Sequence, residues 1–119
     1  MNYIYIIGEL RPKKLKIGRA TNVTHRLRTI QTGHPEPLTI HYSFEVGDSF
    51  EAKTVEYNCH KKLQKQRYRG EWFNVSLKKA VETVQELIAE RHTPIANLKR
   101  ENRQFVARMR QPEYADDGF

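Results

Sequence analysis

Along this chain apolar residues first alternate with polar ones and then recur every three or four positions. Residues 2–7, Asn-Tyr-Ile-Tyr-Ile-Ile, are β-branched and aromatic, and a second short strand is expected around residues 15–19. Gly8 and the polar stretch through Lys14 lie between them, so the start of the chain reads as a β-hairpin with a basic loop. Thr21 or Asn22 can cap a helix in which Val23, Leu27 and Ile30 recur at helical spacing, and Gly33, Pro35 and Pro37 end it. A third strand is expected over roughly residues 38–46.

Asp48 and Ser49 offer the next cap, and Ala52, Val55, Cys59 and Leu63 form an apolar stripe on a second helix. Arg69-Gly70-Glu71 has the composition of a turn, Trp72 to Val75 that of a short extended segment, and Ser76 caps a third helix carrying Ala80, Val81, Val84, Leu87 and Ile88. The order predicts an α+β fold: a small three-stranded antiparallel sheet flanked by helices. Pro94 interrupts the third helix, and residues 95–110 are expected to form a further basic helix before an acidic, disordered tail. The expected division is therefore a domain over residues 1–92 and an appendage over 93–119. The appended helix is open to three readings: an arm on nucleic acid, a homodimer contact through residues 95–110, or a helix packed on its own domain.

Charge sharpens this picture. The 119 residues carry 21 Lys and Arg against 14 Asp and Glu, a formal net charge of +7. Residues 1–75 hold a net +6 of it, which favours a polyanionic partner for the first domain. The lone Cys59 cannot form an internal disulfide, and no long apolar run or signal-like start is present. A cytoplasmic protein of a bacterial or phage-infected cell, with no membrane partner, is the expectation.

Four polar groups stand out against the apolar pattern. Glu56 lies four residues after Ala52 and seven before Leu63, so it projects from the buried stripe. A carboxylate there is either an internal ion-pair partner or a ligand for Mg2+, a hard ion that often takes only one or two protein carboxylates. Tyr5 and Lys16 can be neighbours across the hairpin; an ammonium near a phenol lowers its pKa and prepares it to take a proton from water, whereas the plain alternative is a structural tyrosine. Arg26, beside the first helical stripe, has the planar five-donor fork that clamps a phosphate, although alone it reads as a surface arginine.

Together these positions resemble the GIY-YIG nuclease superfamily. Tyr3-Ile4-Tyr5 stands at its first motif, with Tyr3 in place of the family's glycine, and Lys16-Ile17-Gly18 at the second, with Lys16 in place of its tyrosine. Arg26 follows Gly18 by eight residues, and Glu56 sits in the helix after the third strand. The flanking stretches Arg26 to Pro35, Glu56 to His60 and Gly70-Glu71-Trp72-Phe73 are similar to the compact bacterial and phage branch, which includes domains described as DNA-binding. The resemblance implies hydrolysis of a DNA phosphodiester with Mg2+ or Mn2+ held by Glu56, water activated by Tyr5 with help from Lys16, and the phosphate gripped by Arg26. It also implies auxiliary roles for His25 and His60, as proton donors or phosphate contacts. Asn74 matches a late polar family position only loosely, and His34, His41, Trp72 and Phe73 read as structural.

The first functional expectation is thus a metal-dependent DNA endonuclease. The alternative is a weakly catalytic or non-catalytic module on the same scaffold, holding DNA through Arg11, Lys13, Lys14, Arg19, His25, Lys61, Lys62, Lys65, Arg67 and Arg69. An RNA- or protein-directed adaptor has no positive signal in the sequence.

Overall fold

Every residue from Ile4 to Gly8 of the first strand is buried, although its side chains point alternately to opposite faces. A strand buried on both sides must be covered on both sides, and the computed structural model of the protein, which describes residues 1–91, shows how. The strand, β1 (Asn2–Gly8), lies inside an antiparallel sheet between β2 (Leu15–Ala20) and β3 (Thr39–Gly47). Helix α1 (Val23–Thr32) covers one face, where Tyr5 and Ile7 cluster with Val23, Leu38, Leu27 and Ile30. Helices α2 (Ser49–Lys62) and α3 (Leu77–Glu90) cover the other, where Ile4, Ile6, Leu15 and Ile17 meet Ala52, Val55, Cys59, Leu63, Ala80 and Val84.

The helices begin where their caps predict. The Asn22 side chain accepts a hydrogen bond from His25 N, Asp48 and Glu51 form a reciprocal capping box, and Ser76 Oγ accepts from Lys79 N. Each satisfies amide groups that the first helical turn leaves without internal partners.

The three-stranded expectation is overturned, within the same α+β class. The sheet has five strands in the order β3-β1-β2-β5-β4, where β4 spans Arg67–Arg69 and β5 spans Trp72–Phe73. β5 falls within the extended segment expected over Trp72 to Val75, though only two residues long, whereas Arg-Tyr-Arg of β4 is exposed throughout and has no legible pattern. Tertiary context makes them strands. The outer edge of β2 would otherwise leave amides and carbonyls unpaired beside the core, and β5 satisfies them by pairing Leu15 with Phe73 and Lys16 with Trp72. Phe73 is thereby drawn fully into the core, worth about 1.5–3 kcal/mol of apolar burial. The expected boundary at residue 92 and the expected helix over residues 95–110 fall at and beyond the end of the described residues.

Candidate functional site

Register sets the geometry of the site. Tyr5 stands directly opposite Gly18 in the β1–β2 ladder, with Lys16 two pairs further along on the same face. A Cβ on Gly18 would lie 2.4 Å from Tyr5 Oη and 2.7 Å from Glu71 Oε1. The absence of a side chain at Gly18 is what lets the phenol lie across β2. Tyr5 Oη then donates a 3.2 Å hydrogen bond to Glu71 Oε1, and Lys16 Nζ is 3.5 Å from the same oxygen.

Glu71 is held there by its own backbone. Gly70, at φ +54°, makes the tight turn between β4 and β5, and the Glu71 carbonyl accepts from Ile17 N at 3.1 Å. Glu71, expected only as part of the Arg69-Gly70-Glu71 turn, is thus the direct partner of the phenol. A polar residue between a turn glycine and two aromatic residues, Trp72 and Phe73, was the available signal.

This arrangement corrects the expectation that Lys16 activates the phenol. The ammonium is engaged by Glu71, and Tyr5 is pushed well above the ordinary tyrosine value, first by burial and then by the Glu71 carboxylate. The Arg26 guanidinium pulls the other way and the Glu56 charge adds to the rise, so both groups lie within electrostatic reach of the Tyr5 hydroxyl. Arg26 itself is exposed on α1 and lines an open pocket of about 320 Å³ with Ala20, Thr21, Asn22, His25 and Thr29. That pocket sits at the N-terminal end of α1, where backbone amides favour an anion.

Glu56 is 1% exposed, as its place in the apolar stripe of α2 predicts. Its Oε1 accepts a 3.1 Å bond from Arg19 Nε, while Oε2 is buried with no hydrogen-bond partner among the described residues. Burial and the neighbouring Glu71 charge raise its pKa to about 7, against the pull of Arg19. Arg19, expected on a nucleic-acid surface, is thus the counter-ion of the candidate metal ligand.

His60 is one turn beyond Glu56 but faces the core. It is 1% exposed, its Nε2 donates to the Ile17 carbonyl at 2.7 Å, and its ring packs against Phe73. Burial lowers its pKa to about 4, leaving it neutral near pH 7. No side of this imidazole is open to solvent, so it supports β2 from behind rather than standing in the site.

The remaining basic residues divide by place. His25 joins Arg26 at the pocket. Lys61 and Lys62 end α2, Lys62 being ion-paired with Glu86. Arg67 and Arg69 are exposed on β4 and Lys65 in the turn before it, and Lys14 of the β1–β2 loop, which also carries Arg11 and Lys13, holds its Nζ 4.4 Å from the Tyr68 ring centroid. Among the described residues no three or more His, Cys, Asp or Glu side chains gather as a metal cage, and no helix is long and apolar enough to cross a membrane.

A five-stranded antiparallel sheet with a polar cluster over one strand pair defines a small α+β domain with one composite site. The T5orf172 domain family matches residues 2–88, which takes in every strand and helix up to the last turn of α3, and the chain belongs to that family. No curated protein and no solved structure gives a significant match.

Proposed function

We propose that the protein is a metal-dependent DNA endonuclease of the GIY-YIG kind, hydrolysing phosphodiester bonds at the cluster of Tyr5, Lys16, Arg26, Glu56 and Glu71. The observation that carries this reading is the contact at one phenol: Tyr5 Oη is bonded to Glu71 Oε1, which Lys16 Nζ also approaches at 3.5 Å, and the charges of Arg26 and Glu56 both act on its pKa. Tyrosine, arginine and glutamate come from β1, α1 and α2, three elements far apart in sequence. T5orf172 membership and the GIY-YIG resemblance of the same residues support it.

A single hard cation fits the residues present. A buried carboxylate oxygen without a partner, on a side chain whose charge is disfavoured until a cation arrives, suits one Mg2+ or Mn2+ ion whose other positions are water and phosphate. Glu56 would hold it, and when bound it supplies charge stabilisation at the phosphate oxygens. The chain's own groups supply the rest. Arg26 grips the phosphate from the α1 side and steadies its added charge. Tyr5 Oη takes a proton from the attacking water as it passes its own to Glu71 Oε1, so no free phenolate is required. Lys16 Nζ, 3.5 Å from Glu71 Oε1, holds that carboxylate beside the phenol that donates to it.

One observation favours the alternative, a DNA-binding module that cuts slowly or not at all. Both carboxylates of the cluster already have cationic partners, Glu56 in Arg19 and Glu71 in Lys16. Incubation with supercoiled plasmid and Mg2+ or Mn2+ separates the two. The nuclease nicks or linearises the plasmid, and Glu56→Gln abolishes cutting while retaining binding. If wild type and Glu56→Gln bind and are equally inert with every metal, the binding module stands instead.

A further inference from the structure

At the outer edge of the sheet one aromatic ring is set among cations. In the β4–β5 ladder Arg67 stands opposite Phe73 and Arg69 opposite Trp72, so Tyr68 is an extra residue in β4. A bulge of this kind re-aims the side chain it carries, and Tyr68 is 57% exposed. Lys14, reaching from the β1–β2 loop, holds its ammonium 4.4 Å from the ring centroid and so caps one face of the ring. Residues 61–70 contain five basic and no acidic side chains, and so do residues 10–19. Among the described residues β4 pairs only with β5, at the end of the sheet.

We propose that Tyr68 is a stacking platform for an unpaired base, with Lys14, Lys65, Arg67 and Arg69 following the phosphates of that single strand. This rests on the nucleic-acid reading above and adds which form of nucleic acid the edge receives. The charge argues for a polyanion over a protein strand: a second copy of β4 at this edge would set like charges against like. The ring argues for an unpaired base, because a base inside a duplex already has both faces stacked and offers none to a side chain. Stacking on an aromatic residue is strong and tolerant of sequence, as an edge without acceptor-specific side chains requires.

The test uses the full chain in EDTA, so that binding is read whether or not the protein cuts. The probes are a short single-stranded DNA containing 2-aminopurine, whose emission is quenched by stacking, and the matched duplex. Wild type quenches the single strand and binds it more tightly than the duplex. Tyr68→Ala loses the quenching and about tenfold in single-strand affinity, with duplex affinity unchanged, while Tyr68→Phe behaves as wild type. Equal loss on both probes, or no loss on the single strand, overturns the proposal. So does a dimer of wild type in sedimentation that Tyr68→Ala dissolves. Plasmid cutting by wild type in Mg2+ is scored separately: cutting with an inert Tyr68→Ala effect removes this inference alone, and no binding to either probe removes both readings.

Discussion

Arg19 Nε lies 3.1 Å from Glu56 Oε1, and the second carboxylate oxygen, Oε2, is buried without a hydrogen-bond partner among the described residues. The ion pair is therefore incomplete, and Glu56 is costly to the fold when charged. Its folded pKa, about 7, is above the ordinary 4.5, so the folded state binds this proton more tightly than the unfolded chain. Stability from this group is greatest below about pH 4.5 and falls as pH rises to 7, by on the order of 3 kcal/mol. Glu56→Gln is expected to be more stable than wild type in urea at pH 8 and nearly equal at pH 4.5. A wild type more stable than the variant at pH 8 would show that Arg19 fully compensates the charge.

His60 tilts the same curve the other way. Its folded pKa, about 4, is below the ordinary 6.5, so acid protonates the unfolded chain first and stability is lost as pH falls from 6.5 towards 4. Between these limits the two groups largely cancel. His60→Gln, which can still donate to the Ile17 carbonyl, should expose the falling slope of Glu56, whereas Glu56→Gln should expose the rising slope of His60. Urea midpoints measured across pH 4–8 for the three proteins check both slopes.

Gly18→Ala places a methyl group 2.4 Å from Tyr5 Oη, and the 1% exposed ring has nowhere to retreat. The expected result is a loss of about 1–3 kcal/mol in stability and of plasmid cutting together. A variant that keeps both would mean that β1 and β2 separate freely at this pair.

Tyr5→Phe keeps the ring in the core and removes only the hydroxyl bonded to Glu71. Stability should change by about 1 kcal/mol, but cutting should fall by about 10²–10⁴-fold. Glu71→Gln should give a similar drop, because a neutral amide cannot accept the tyrosine proton. If Tyr5→Phe cuts at the wild-type rate, the phenol has no part in the chemistry.

Arg26 is exposed, and its removal leaves no buried charge behind. Arg26→Ala should unfold within about 0.5 kcal/mol of wild type while losing about 10²-fold or more in cutting. Single-turnover assays on plasmid together with thermal melts separate the two effects.

Much of this was readable in the amino-acid order. The three helices, their caps at Asn22, Asp48 and Ser76, and the first three strands all follow from period and capping chemistry, which act within a few residues. Glu56 could be placed in the core because a carboxylate at the spacing of Ala52, Val55, Cys59 and Leu63 has no other direction to point. The opposite was true of Lys16, Arg19 and His60. Their residue types suggested solvent, phosphate or proton transfer, and their partners proved to be Glu71, Glu56 and a backbone carbonyl.

The local code of the chain thus specified which segments are helices, which form the central strands, and which carboxylate is buried, since those outcomes depend on neighbours three or four residues away. Folding in three dimensions added β4 and joined the short extended segment at Trp72–Phe73 to the sheet, where it satisfies an edge of β2 that lies more than fifty residues away in sequence. It also set Glu71 against Tyr5 across 66 residues of sequence, where burial and the Glu71 carboxylate together raise the phenol's pKa. Electrostatic energies follow distance and burial in space, and neither is written in the order of residues along the chain.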